Sequence, residues 1–122
     1  MREYSFEKLE VWQLSRKLVK LTYEITSTFP NEEKFGIVSQ MRRATISVSS
    51  NISEGSSRKS FKDQARFTVM AYSSLMELLN QFILSNDLDW LSSEKLILVR
   101  ELIDEISNKL NALRNYQISK IP

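Results

Sequence analysis

The sequence predicts an all-α protein, an antiparallel up-and-down four-helix bundle that forms one domain over residues 1–122. Its 122 residues include only two glycines and two prolines, fewer turn-forming residues than a β-sheet protein needs. Four long segments carry apolar residues at steps of three and four, which is the spacing of a helix with one buried face. Short connections between such helices favour antiparallel neighbours.

The first two segments are predicted to be helical over residues 6–28 and over residues 31 or 32–54. Pro30 ends the first, Asn31 is placed to cap the second, and Gly55 suits the left-handed position that follows a helix. The second segment is rich in serine, so it is expected to be a thin helix held in shape by its neighbours. The predicted core positions are Val11, Leu14, Leu18, Leu21 and Ile25, then Ile37, Met41, Ala44, Val48 and Ile52.

The third and fourth segments are predicted to be helical over residues 61–86 and 93–117, with a short polar turn between them. Ser60, followed three residues later by Asp63, resembles a capping box and marks the start of the third helix. The predicted core positions are Phe61, Ala65, Thr68, Tyr72, Leu75, Leu79 and Phe82, then Leu96, Val99, Ile103, Ile106, Leu110 and Leu113.

Further apolar residues lie away from the predicted core face on the second and third helices. Two apolar faces on one helix usually mean that a partner covers the outer one. The alternative is that one wide core absorbs both faces. We favour self-association and predict an oligomer interface at Phe35, Ile46, Phe67, Met70 and Leu84.

A polar stripe follows the second segment, with members about one turn apart. Glu54 stands near the end of this helix, where the dipole disfavours a carboxylate, so we expect a buried group held by a cation or by hydrogen-bond donors. A hard cation between Glu54 and Glu77 is a weaker alternative. The favoured interpretation is a structural network between helices or subunits, formed by Gln40, Arg43, Ser47, Asn51, Glu54 and Glu77.

Cations concentrate where the backbone turns between the second and third segments, although the net charge of the chain is only +2. A helix start offers free backbone N–H groups and the positive end of the dipole, both favourable for a phosphate group. The alternative is a set of cations that are simply solvated. We predict nucleic-acid contacts at Arg42, Arg43, Arg58, Lys59, Lys62 and Arg66.

Composition argues against most enzyme classes. Cysteine and histidine are absent, which removes thiol chemistry, the usual general base near neutral pH and the commonest metal ligand. The sequence has no glycine-rich phosphate loop and no zinc-protease motif. We therefore expect no enzymatic activity, no catalytic residue, no cofactor and no metal site, in a soluble cytoplasmic protein without a membrane partner.

Several motifs occur in order along the chain: Phe35-Gly36, Gln40-Met41-Arg42-Arg43-Ala44, Ser47-x-x-x-Asn51-Ile52-x-Glu54-Gly55 and Ser74-Leu75-x-Glu77-Leu78. In these motifs the chain resembles the bacterial four-helix-bundle proteins that are encoded within intervening sequences of 23S rRNA genes.

This resemblance implies a homopentamer without established enzymatic activity, for which binding to rRNA or another nucleic acid is suspected. Related bundles serve as accessory proteins of reverse transcriptases in diversity-generating retroelements. The resemblance therefore also implies an alternative, a protein-interaction scaffold or reverse-transcriptase adaptor with no intrinsic nucleic-acid specificity. It assigns no functional role to any individual residue.

Overall fold

Four long helices make up most of the chain in the computed structural model, which describes residues 1–122. No strand is present, so the all-α prediction is confirmed. None of the helices combines the length and the apolar composition that crossing a membrane requires. The helices are α1 (Glu10–Thr26), α2 (Ile37–Ser56), α3 (Phe61–Asp87) and α4 (Ser93–Ser119).

Contacts between helices establish a bundle. Each helix packs on the next along the chain, and α1 also packs on α4, which closes a ring of four. Between α2 and α3, Met41 Sδ lies 3.8 Å from Ser85 Oγ, and Ser47 Oγ lies 2.9 Å from Ser74 Oγ. Rising residue numbers on α2 thus meet falling numbers on α3, so the two helices run antiparallel.

The same reversal relates the other neighbouring helices. Thr22 Oγ1 of α1 lies 3.5 Å from Thr45 Oγ1 of α2, and Thr26 Oγ1 accepts a hydrogen bond from Arg42 Nε at 3.0 Å. The topology is therefore up-and-down throughout. Between α3 and α4, Phe61 meets Tyr116 and Asn86 meets Ser93. Between α1 and α4, Glu10 pairs with Lys109, and Ile25 lines the same cleft as Leu98.

All four helices contribute to one apolar core of 19 buried residues. Its largest fully buried side chains include Phe82, Leu18 and Met41, and burial of such a side chain contributes about 1.5–3 kcal/mol. Most predicted core positions are confirmed. Those at the edge, which are only half-buried, are Leu21, Ile37, Phe61, Tyr72, Leu79, Leu96 and Leu113.

Two predicted helix starts are wrong. A 3-10 turn at Ser5–Lys8 precedes α1, which begins at Glu10 rather than at residue 6. A second 3-10 turn at Asn31–Glu33 precedes α2, so Asn31 does not cap that helix. In both places a 3-10 turn, whose hydrogen bonds join residues three apart, occupies positions that the sequence pattern assigns to the α-helix.

The starts of α3 and α4 agree with the prediction, because each has a serine cap. Ser60 Oγ accepts a hydrogen bond from Asp63 N at 3.1 Å, and Ser92 Oγ accepts one from Lys95 N at 3.2 Å. Each cap satisfies a backbone donor that the first turn leaves free.

Gly55 does not terminate α2, contrary to the prediction. It lies buried inside the helix, and no glycine of the chain has a positive φ. A Cβ atom at this position would stand 2.8 Å from the Cβ of Phe67. Gly55 is therefore the point of close approach between α2 and α3, and the conformational freedom of glycine is not used.

Replacing Gly55 with alanine should destabilise the protein. Alanine gains about 1 kcal/mol of helix propensity over glycine, but the overpacking against Phe67 costs about 1–3 kcal/mol. We expect a net loss of about 1 kcal/mol in the free energy of unfolding, measured by urea denaturation. Ser50→Ala, on the same helix, gains propensity without a clash and should be neutral or slightly stabilising. Equal stability of both variants would contradict the close-approach role.

Candidate nucleic-acid interface

The connection between α2 and α3, residues 57–60, lies at one end of the bundle. Because neighbouring helices are antiparallel, the start of α1 and the end of α4 lie at the same end. Four of the predicted contact residues belong to this connection and the first turns of α3, and all four are exposed: Arg58, Lys59, Lys62 and Arg66.

Two arginines are held over the ring of Phe67. The guanidinium carbons of Arg58 and Arg66 lie 4.5 and 4.8 Å from the ring centroid. Asp63 pairs with both: its Oδ1 accepts hydrogen bonds from Arg66 Nη2 and Nε at 2.9 and 3.1 Å, and its Oδ2 forms an ion pair at 3.7 Å with Arg58 Nε. We call these four residues the arginine clasp. Such exposed ion pairs contribute at most about 1 kcal/mol, so the clasp orients the arginines more than it stabilises the fold.

The two lysines of this region have no such partner. Neither Lys59 nor Lys62 forms an ion pair in the structure. They stand beside the first turn of α3, whose free N–H groups and helix dipole add positive potential. The connection therefore presents positive charge that the protein itself does not neutralise.

Arg42 and Arg43 lie elsewhere. The guanidinium of Arg42 stacks on Tyr23 at 4.4 Å and donates to Thr26 Oγ1 and to the Tyr23 carbonyl. Arg43 is exposed and forms no ion pair. At 1.5 Å per residue, α2 separates Arg43 from Arg58 by about 22 Å. The six predicted contact residues consequently do not form one surface, and Arg42 serves to join α1 to α2.

A groove beside the clasp was not predicted. It lies between the start of α3 and the end of α4 and has a volume of about 470 Å³. Arg114 was missed because it follows Arg66 by 48 positions in the sequence, and only the register of α3 against α4 brings the two together. The lining of the groove includes Lys62, Asp63, Arg66 and Val69 from α3, with Arg114, Ile118 and Ile121.

Part of the predicted polar network exists within the protomer. Ser47 bonds Ser74 across the α2–α3 contact at 2.9 Å, and Asn51 Nδ2 donates to Ser47 O and Oγ at 2.9 and 3.1 Å. Glu77 accepts a hydrogen bond at 3.3 Å from Gln81 of the same helix. The side chains without a hydrogen bond or ion pair in the protomer are Gln40, Arg43 and Glu54, for which a role between subunits stays a prediction.

The expectation for Glu54 is wrong as regards burial. Its side chain is exposed and contacts no cation, because water can solvate a carboxylate at this end of the bundle and no internal partner is needed. Gly55 faces Phe67, so Glu54 and Glu77 are about 15 Å apart along the bundle. They do not form a cation site, and the structure contains no cluster of three potential metal-ligating side chains.

Three of the five residues predicted at the oligomer interface are exposed in the structure. Phe67 is only 5% exposed, because Gly55 leaves room for it and the two arginines of the clasp cover its ring. The prediction that Phe67 lies on the outer face is wrong. Phe35 is 90% exposed, Ile46 43% and Leu84 44%. Met70 is half-buried. An interface through these four residues stays a prediction.

The sequence matches a protein-family model over most of its length. A sequence model described as 23S rRNA-intervening sequence protein matches residues 7–112. The matched region includes α1, α2, α3 and most of α4. No curated protein matches the chain significantly.

Truncating Phe67 should destabilise the protomer. We expect Phe67→Ala to lower the free energy of unfolding by about 3 kcal/mol, because the ring is buried and its removal leaves a cavity. Val69→Ala, two positions along α3, removes a side chain that is 42% exposed and should cost less than about 1 kcal/mol. Urea denaturation monitored by circular dichroism measures both. Equal losses would show that Phe67 contributes no more than a surface residue.

Proposed function

The chain belongs to the 23S rRNA-intervening sequence protein family, and on that premise we propose that it is a non-enzymatic, self-associating bundle that binds RNA around the α2–α3 connection. The observation that carries the proposal is the pair of exposed, unpaired lysines, Lys59 and Lys62, beside the arginine clasp. The family description names 23S rRNA, which makes ribosomal RNA the first candidate ligand.

The chemistry of this surface suits phosphate. Each phosphate that a lysine or arginine neutralises releases a condensed counterion, and this release drives binding at moderate salt concentrations. The start of α3 adds donors and dipole at the same place. Sequence-specific contacts to bases are not needed for such binding, so affinity is expected to depend strongly on salt.

Self-association increases the number of phosphate contacts that the protein can make. With a net charge of only +2, a single protomer offers few phosphate contacts. An oligomer repeats the cationic surface, and simultaneous contacts raise the overall affinity without any new interaction. A homopentamer is the assembly that the family resemblance implies.

Exposed apolar side chains support this part of the proposal. Phe35 and Ile46 line one shallow cleft with Val38, and Leu84 is exposed on α3. Exposed apolar side chains that are rimmed by polar ones, here Lys34, Arg42 and Arg43 around Phe35 and Ile46, are typical of protein interfaces. The same surface suits the alternative function, an adaptor for another protein such as a reverse transcriptase.

Removing the two lysines should weaken RNA binding. We expect Lys59→Ala with Lys62→Ala to lower the affinity for an rRNA fragment about tenfold at physiological salt, and to reduce the slope of log K against log salt by about 1.5. Fluorescence anisotropy across a salt series measures both quantities. The control is Lys20→Ala with Lys95→Ala, which removes the same charge from two exposed positions in the half of the bundle farther from the connection. Equal effects of the two pairs would remove the connection from the proposal.

Placing a charge on the outer apolar face should dissociate the oligomer. Leu84→Asp and Ile46→Asp each put a carboxylate into the proposed interface, where its desolvation is unfavourable. We expect a shift to monomer in light scattering coupled to size exclusion. The matched control, Ile97→Asp, changes a residue of α4 that is 56% exposed and should leave the mass unchanged. An oligomer of unchanged mass in the α2 and α3 variants would refute this interface.

A further inference from the structure

We propose that the groove between α3 and α4 holds an unpaired nucleotide of single-stranded RNA, with its phosphate on the cations and its base against the apolar wall. This inference rests on the proposed RNA-binding function and specifies the form of RNA that the protein selects.

Positive charge is present on both walls of the groove. Lys62 and Arg66 stand one turn apart on α3, about 6 Å along its axis, and Arg114 faces them from α4. Asp63 already engages Arg66, whereas Lys62 and Arg114 form no ion pair. A phosphate in the groove would therefore meet two uncompensated cations on opposite sides.

Apart from Ser60 and Asp63 at the end near the clasp, the remaining lining is aliphatic. Val69 and Ile118 are each 42% exposed and Ile121 is 37% exposed. Aliphatic residues do not strengthen a site that binds phosphate by charge alone. Contact with the flat face of an unpaired base, however, would remove their surface from water and so favour binding. Double-stranded RNA presents phosphates and sugars and keeps its base faces stacked inside. A duplex would leave these side chains exposed, so the lining favours a single strand.

The groove also continues in the direction that a strand would take. A second cavity of about 250 Å³ shares Val69 and Arg114 with it and extends to Tyr72 and Asn111. The ring of Tyr72 is half-buried against the core, and the part of it that lines this cavity offers a surface for stacking. The exposed amide of Asn111 offers a donor and an acceptor to a base edge. At its other end the groove begins at Lys62, which belongs to the α2–α3 surface. One strand can thus run from that surface along α3 and α4.

The test compares groove variants with matched variants elsewhere on α4. Arg114→Gln is paired with Arg100→Gln, and Ile118→Ser with Ile97→Ser; all four side chains are exposed, and circular dichroism checks that each variant folds. The probe is a fluorescein-labelled unstructured RNA strand, measured by anisotropy alone and annealed to its complement. Lys59→Ala, which removes a cation of the α2–α3 connection that does not line the groove, is measured alongside.

We expect the single strand to bind more tightly than the duplex. Arg114→Gln should weaken single-strand binding about fourfold through the loss of one phosphate contact, and Ile118→Ser about fivefold through the loss of apolar contact. Both controls should stay within about twofold of the unmodified protein, as expected for surface changes away from the site.

The contrary outcomes separate the inference from the function on which it rests. If both RNA forms bind equally and the groove variants match their controls, while the lysine variant still loses affinity, the groove proposal is wrong and RNA binding stands. If neither form binds, both proposals fail. If polyglutamate displaces the strand as well as unlabelled RNA does, the groove is an acidic-peptide site and the nucleotide assignment is wrong.

Discussion

The close approach of α2 to α3 is the constraint on which the rest of the structure depends. The serine-rich α2 has weak intrinsic helix propensity, so packing must hold it in shape. Its small side chains permit that packing, with Gly55 against Phe67 and the hydroxyls of Ser47 and Ser74 in contact. A larger residue at Gly55 would collide with Phe67 and separate the helices at that point.

The arginine clasp is a direct result of that packing. Phe67 lies deep enough to give Arg58 and Arg66 a flat surface, and Asp63 fixes their direction. Ordering two long side chains before a ligand arrives reduces the entropy that binding would otherwise cost, about 0.5–1.5 kcal/mol for each side chain. Asp63 also repels an incoming phosphate, so the clasp orients the two arginines but lowers their affinity for phosphate. Lys59 and Lys62 form no ion pair with a carboxylate, so their attraction for phosphate is not reduced in this way.

The sequence was sufficient to predict the helix number, the bundle and most of the core, because these follow from periodicity and from the scarcity of glycine and proline. It was less informative about Gly55 and Phe67. Their roles depend on the distance between two helices, which no local pattern contains. The spread of the predicted cations over two ends of the bundle, and the membership of Arg114 in the groove, likewise follow from interhelical register. The cap at Ser60 was predictable because a cap is a local hydrogen bond.

An even number of antiparallel helices places residues 1 and 122 at the same pole of the bundle as the α2–α3 connection. An affinity tag or fluorescent protein joined to either terminus would therefore stand close to the cationic surface and compete with whatever approaches it. Asp89, which has a φ of 63° and belongs to the turn between α3 and α4, marks the distal pole. A label inserted in that turn would report on the molecule from the side where it cannot obstruct the groove.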